Sequence, residues 1–355
     1  MNQLDRIVKA LAGMPCDALL LSSPISRRYA TGFPSSAGIV LIHRGGGLYY
    51  TDFRYIEAAR QAVPNFEVAL LPSGRSYNDV VNDLIARYGI KTLGYENMYV
   101  TAAQKVKFDA ELKAELYPMD DMLDRLRAIK APWEVENIVR AQRIAERALE
   151  ETLPLIRPGV TEQEVAAELI YRMYRYGAEC QSFDAIVVAG ENSSKPHGVP
   201  GPRPIKDGDF VTMDFGCVVD GYCSDMTRTV AVGHASDEMK KIYDLVLQAQ
   251  LAGLAATKAD IPCTLPDKAA RDIIYAAGYQ GCFEHGFGHS LGLEIHEEPR
   301  LSHSSKDILR EGTVVPAEPG IYLEGRMGVR IEDMMLVTKD GCENLTRAPK
   351  ELLIL

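Results

Sequence analysis

No stretch of this chain stays apolar for long enough to cross a bilayer, and its opening residues, MNQLDRIVKALAGM, follow an amphipathic helical pattern with charges of both signs, unlike a secretory leader. Excess positive charge is also missing. The formal net charge is −10, which gives no electrostatic reason to expect a nucleic-acid partner. The seven cysteines are an odd set without paired spacing, so a disulfide framework is not expected and a reducing compartment is. A phosphate cradle is missing as well: Gly45-Gly46-Gly47 lacks the GxGxxG spacing and a following helix, and reads as a turn. There is no low-complexity tract. These absences predict a soluble, cytoplasmic protein with no membrane and no nucleic-acid partner.

At 355 residues the chain exceeds the usual size of a single core and should hold two domains. Residues 1–122 alternate helical and strand patterns: a first helix, the strand ALLLS, a hairpin around the glycine triplet, a helix from Asp52, and further units through LGYEN. That alternation is α/β. The boundary falls within residues 119–129, and residues 123–355 form the second domain. This opens on a long amphipathic helix over 134–153 with Pro132 near its start. Thr161-Glu162-Gln163-Glu164 is a capping box for the next helix. Helices followed by strand pairs then occur twice, an α+β arrangement.

Two hairpins in this second region place carboxylates in pairs. FVTMDFGCVVDGYCSDMTRTVAV reads as two strands joined at Asp220-Gly221, a favoured two-residue turn. Residues whose numbers sum to 441, as 220 and 221 do, then lie opposite each other: Asp214 with Thr227, Asp225 with Gly216. Asp214, Thr227 and Asp225 share one face, with the aspartates roughly 7–8 Å apart at the backbone unless a bulge shifts the register. Two buried carboxylates on one face repel and pay for desolvation, so something positive is expected between them. In PAEPGIYLEGRMGVRIEDMMLVT, Glu318 and Glu332 lie seven residues either side of Gly325 and can face one another. Arg330 projects from the same face as Glu332, while Val329 and Ile331 point into packing.

His289 belongs to HGFGHSLGLEIHE, too glycine-rich for a helix and unlike the helical His-Glu-x-x-His zinc signature. Four carboxylates and one imidazole form a hard, oxygen-rich set that suits Mn²⁺, or Co²⁺, Fe²⁺ or Zn²⁺. A carboxylate-bridged pair of such ions would hold a hydroxide at neutral pH, the nucleophile of a two-metal hydrolase. Taken singly, an Asp next to a turn is a loop or cap residue far more often than a ligand, and only the set taken together points to metal. Cys217 and Cys223, flanking the first pair, read as small buried hydrophobes rather than thiolate ligands.

The run PHG, DFG, SDMTRT, HGFGHSLGLEIHE, EPGIY and VRIED, in this order, resembles the pita-bread metallopeptidases: methionine aminopeptidase, aminopeptidase P and prolidase. The likeness runs from about residue 125 to the end. ALLLSSPISRRYATGF and YTDFRYIEAA resemble the N-terminal domain of the proline-specific and creatinase branches, which methionine aminopeptidases usually lack. The resemblance implies a pita-bread catalytic domain with pseudo-twofold strand and helix repeats, preceded by a smaller α/β creatinase-type domain. It implies that Asp214 and Asp225 bind one metal, that His289 and Glu318 bind the other, and that Asp225 and Glu332 bridge. Glu318 would also be the base for the attacking water. His197 and His296 would contact the substrate and stabilise the oxyanion or leaving group, and His285 would be a further pocket histidine. His43, His234 and His303 have no such context and read as surface or structural.

Pro316-Ala317 replaces the family's usual threonine-valine before Glu318, and a proline there removes one ladder donor, which points to an edge or a bulge. Because all five ligand positions are intact, metal-free creatinase chemistry and a metal-free peptide-binding role are disfavoured. Prolidase and aminopeptidase P both remain open. Arg300 matches an arginine that contacts the substrate carboxylate in some small prolidases, a task suited to a guanidinium, and otherwise reads as a loop arginine. Arg330 reads as an organiser of the carboxylates. The resemblance implies short proline-containing peptides as partners. It also implies a homodimer in which the N-terminal domain limits substrate length.

Overall fold

The computed structural model describes residues 2–119 and 121–355; Met1, at the head of the expected first helix, and Asp120, within the expected boundary, lie outside that range. The chain divides into two units, Met1–Arg127 and Ala128–Leu355. No helix among the described residues is long and apolar enough to cross a membrane.

The first unit carries α1 (Gln3–Leu11), β1 (Ala18–Leu21), α2 (Pro24–Thr31), β2 (Ile39–His43), β3 (Gly46–Thr51), α3 (Ile56–Ala62), β4 (Glu67–Leu70), α4 (Tyr77–Tyr88), β5 (Thr92–Tyr95), α5 (Ala102–Glu111), β6 (Glu115–Pro118) and α6 (Met122–Ala128). Its six strands form one sheet in the order β4-β3-β2-β1-β5-β6. The turn at the glycine triplet joins β2 to β3 in antiparallel register, as expected. The helix expected from Asp52 begins at Ile56 instead. The Asp52 side chain accepts the Arg54 N–H at 2.9 Å, and this local bond holds a turn in place of the first helical residues. Leu20, Leu41, Leu84 and Leu93 share a core, each such side chain contributing about 1.5–3 kcal/mol on burial.

The second unit repeats one plan. Helices α7 (Pro132–Thr152) and α8 (Glu162–Arg175) precede β7 (Cys180–Gln181), β8 (Ile186–Ala189), β9 (Phe210–Phe215), β10 (Cys217–Val219), β11 (Tyr222–Cys223) and β12 (Met226–Ala231). Helices α9 (Asp237–Ala256) and α10 (Thr264–Ala276) precede β13 (Gly288–Ser290), β14 (Glu297–Leu301), β15 (Val314–Ala317), β16 (Gly320–Leu323), β17 (Met327–Arg330), β18 (Asp333–Val337) and β19 (Cys342–Asn344). Pro132 occupies the first turn of α7, and Thr161 caps α8 through the expected box with Glu164.

Each half has its own core. Ala141, Ala145 and Leu169 of the first helices pack on Val187, Met213 and Met226, while Tyr243, Val246 and Ile274 pack on Val315, Ile331 and Met335. Side-chain bonds from β12 join the halves: Thr229 Oγ1 donates to Arg330 O at 2.9 Å and Thr227 Oγ1 to Glu332 Oε2 at 2.6 Å. Pro316 lies on β15, the outer strand of its sheet, where a missing N–H is tolerated.

Candidate metal centre

In the first hairpin, Asp220 and Gly221 both adopt positive φ, 48° and 86°, the geometry a two-residue turn of this kind requires. Val219 faces Tyr222, Val218 faces Cys223 and Asp214 faces Thr227, so the register read from the turn holds along the whole hairpin. The ladder nevertheless opens at Gly216 and at Ser224-Asp225. A Cβ at Gly216 would sit 1.9 Å from Ser224 O, so a glycine is needed for the strands to pass this closely. Freed from the ladder, Asp225 is 4% exposed.

The second hairpin repeats the device. Leu323 faces Met327, Gly320 faces Arg330 and Ala317 faces Asp333, one continuous register centred on Gly325. Here the ladder opens at Glu318-Pro319 and Ile331-Glu332. The backbone N–H of Glu318 donates to Phe287 O at 2.8 Å, and that of Glu332 to Thr227 O at 3.1 Å. Each glutamate is thereby tied to a foreign segment: one to the stretch leading to His289, the other to β12.

The five residues expected as ligands are brought together. Oxygens of Asp214, Asp225 and Glu332 all lie within 4.8 Å of one another. His289 Nε2 is 3.7 Å from Asp225 Oδ2 and 3.7 Å from Glu318 Oε1. Its Nδ1 faces Ser290 O at 3.1 Å, and since a carbonyl only accepts, Nδ1 carries the proton and Nε2 turns its lone pair toward the acids. Burial pushes the His289 imidazole down to about 4, keeping it in the neutral form that binds metals.

The carboxylates are pushed the other way. Burial, then the field of neighbouring acids, holds Asp225 and Glu332 well above the usual range. Glu318 rises to about 8, burial outweighing the opposing charge of Arg330. Among the described residues, Arg330 is the one lysine or arginine hydrogen-bonded to these four acids: its Nη2 lies 2.5 Å from Asp214 Oδ2. The other oxygen, Asp214 Oδ1, is buried with no hydrogen-bond partner. A buried acceptor left over in a like-charged cluster, beside a neutral imidazole, fits a divalent cation.

The pocket histidines flank this cluster. His285 Nδ1 donates to Gly286 O, so its Nε2 accepts from Tyr322 Oη at 3.0 Å, while that hydroxyl in turn accepts from Arg330 Nη1 at 2.8 Å. Burial and the Arg330 charge press His285 down to about 3. The exposed His296 stacks edge-on against His289, ring centroids 4.4 Å apart. His197 is exposed. The neighbouring Pro196 O accepts from Arg330 Nη1 at 3.2 Å. Arg300 faces His289 across the β13–β14 ladder and is exposed, its nearest carboxylate Glu298 at 3.5 Å.

Sequence reasoning missed three supporting residues. Thr227 was placed on the acidic face but given no task; its hydroxyl donates to Glu332 and accepts from Arg330 Nε at 3.1 Å. Tyr322 links Arg330 to His285, and its place in EPGIY was the available signal. Asp333, beside Glu332, gave none. Cys217 and Cys223 are buried free thiols, pushed up to about 12 by burial, and so inert.

Residues 136–339 match the model of metallopeptidase family M24, and residues 3–129 match the creatinase/prolidase N-terminal domain. The chain is 34% identical to an Xaa-Pro dipeptidase from Pyrococcus furiosus, over 99% of each sequence. A solved structure titled Xaa-Pro dipeptidase from Bacillus anthracis superposes with a TM-score of 0.95 at 42% identity, covering 99% of each chain. An X-Pro aminopeptidase structure from Thermotoga maritima superposes with a TM-score of 0.93 at 36% identity, covering 100% of each. A creatinase-type N-terminal domain, a pita-bread domain and a buried acid cluster are all in place, and the chain belongs to metallopeptidase family M24, the metal-dependent peptidases.

Proposed function

We propose that this peptidase removes the residue before proline from short peptides, with two divalent ions, Mn²⁺ foremost and Co²⁺, Zn²⁺ or Fe²⁺ as alternatives, held by Asp214, Asp225, His289, Glu318 and Glu332. The observation that carries this reading is the convergence of Asp214, Asp225 and Glu332 oxygens within 4.8 Å around a buried acceptor with no partner. When bound, the ions supply a water made nucleophilic at neutral pH and polarise the scissile carbonyl.

Glu318, whose Oε1 lies 3.7 Å from His289 Nε2, would accept the proton of the attacking water at a carboxylate oxygen. Arg330 holds Asp214 and is itself held by Thr227 and Tyr322, so the first acid is aimed before substrate arrives. His296, stacked against His289, and His197, next to the Pro196 carbonyl that Arg330 holds, would donate to a developing oxyanion or leaving nitrogen. His285, fixed by Tyr322, backs this wall. Proline suits a pocket of this kind because its bond lacks an N–H and holds the preceding residue extended, so recognition rests on ring and carbonyl.

The exposed guanidinium of Arg300 supports a dipeptidase: it is accessible to a free proline carboxylate. The likeness to the Thermotoga X-Pro aminopeptidase favours a second reading, in which that end stays open to a continuing chain. Comparing an Xaa-Pro dipeptide with the matching Xaa-Pro-Yaa tripeptide separates them. The dipeptide is expected to be cleaved with the higher kcat/KM, and Arg300→Ala to erode the preference; a much faster tripeptide refutes the dipeptidase reading. We further assign limitation of substrate length to the N-terminal unit of a cytoplasmic homodimer. Metal content measured with and without Asp225→Asn tests the centre, and hydrolysis that survives both metal removal and this substitution overturns it.

A further inference from the structure

The β13–β14 ladder changes register inside the site. Gly288 faces Leu301 and His289 faces Arg300, but Ser290 faces Glu297, so two residues of β14, Glu298 and Pro299, have no opposite number. A bulge of this sort re-aims the side chains beside it, and those side chains are His289, His296 and Arg300. A regular pairing would instead set Ser290 opposite Pro299, a two-residue shift that keeps the faces but carries Glu297 and His296 along the strand, away from His289.

One buried side chain spans the irregularity. Lys130, three residues beyond the first unit, has an almost wholly buried ammonium, with 1% of the side chain exposed. Its Nζ donates to Ser290 Oγ at 2.9 Å and to Glu297 Oε2 at 3.1 Å. Those are the residues that immediately follow His289 and His296, and they form the first ladder pair beyond the bulge. Ser290 Oγ donates onward to Val314 O at 3.1 Å, and Glu297 Oε1 accepts the N–H of Glu294 at 3.2 Å. At Gly292, a Cβ would lie 2.8 Å from both Glu297 oxygens, so the loop between the two strands closes down on the same carboxylate. The backbone of Lys130 is fixed too, its N–H donating to Gly312 O at 2.9 Å.

We infer that Lys130 is a positioning residue for the metal centre: paired with Glu297 and Ser290, it locks the bulged register that aims His289 at the acids and His296 at the substrate. Its ammonium donates to Ala128 O at 3.4 Å besides Ser290 and Glu297, and it acts through the two histidines. This rests on the reading of His289 as a metal ligand.

The test measures Mn²⁺ affinity by calorimetry on the full-length chain, together with thermal midpoint, kcat and KM, for Lys130→Met, Ser290→Ala, His289→Ala and the double variant Lys130→Met/His289→Ala. Lys130→Met is expected to weaken Mn²⁺ binding about 10–100-fold, the usual effect of removing a group that orients a ligand. Ser290→Ala, which removes one of the bonds and is the milder variant should Lys130→Met not fold, is expected to weaken it severalfold. In the His289→Ala background, Lys130→Met should cost no further affinity. A lowered midpoint with unchanged Mn²⁺ affinity and unchanged kcat in both Lys130→Met and Ser290→Ala overturns the inference, as does full additivity with His289→Ala. If Asp225→Asn binds Mn²⁺ like the parent chain, the metal reading itself fails, a result distinct from either of these.

Discussion

Glu332 and Asp333 are neighbours on one strand path, both about 1% exposed, and they live in opposite electrostatic worlds. Asp333 receives Arg228 at 2.7 Å on one oxygen, and Lys350 at 2.6 Å, Asn344 at 2.9 Å and Gln250 at 3.1 Å on the other. Burial pushes its carboxyl up, but the Arg228 and Lys350 charges outweigh it and hold it below the usual range. Glu332, turned to the other face, receives one hydroxyl, from Thr227, and burial, followed by the field of Glu318 and Asp214, pushes its carboxyl well up. Burial of charge is common to both. What marks the functional site is the shortage of countercharge, which a cation from outside the chain can make good.

Three experiments test that contrast. Glu332→Gln should reduce kcat about 10²–10³-fold, the scale set by losing a group that acts at the reacting centre, while the thermal midpoint of the metal-free chain stays level or rises because a repelling charge is gone. A marked fall in that midpoint would show that Glu332, like Asp333, holds the fold together. Asp333→Asn should do the reverse: breaking a buried, paired charge costs about 3–5 kcal/mol of stability, read as a lower denaturant midpoint, with kcat of the folded enzyme within a few-fold of the parent.

The smallest effect is in pH. A carboxyl raised on folding holds its proton more tightly in the folded chain, so its penalty is absent below the unfolded value, about 4.5, and grows as pH climbs to the folded value, about 8 for Glu318. Asp333, lowered on folding, contributes its stability above the unfolded value and loses it in acid. The metal-free chain should therefore lose thermal stability between about pH 5 and 8, and saturating Mn²⁺ should flatten the slope. A slope of the same size in Glu318→Gln would remove that carboxyl as its cause.

The contrast also bounds what the sequence can tell. Both hairpins were legible in register because local chemistry sets them: Asp220-Gly221 admits a single short turn, and the glutamates stand symmetrically about Gly325. The openings of the ladder were not legible, since they depend on partners such as Phe287 and Thr227 from other segments. Tyr322 and Lys130 escaped notice for the same reason, a lone tyrosine or lysine carrying no periodicity that names a partner far along the chain. Asp333 shows the limit most plainly. In VRIED two adjacent acids look alike, and it is the alternation of a strand, with what lies on each side of it, that makes one a pillar and sets the other in the acid cluster.

The bond from Thr227 to Glu332 spans 105 residues. At a translation rate of roughly 5–20 residues per second, the first aspartate pair leaves the ribosome roughly 5–20 s before the glutamates and Arg330 that complete it. During that interval the nascent chain lacks Arg330 and Glu332, which complete the acid cluster. If the centre needs all five residues proposed to hold it, a chain arrested within the interval would have no partial activity to release.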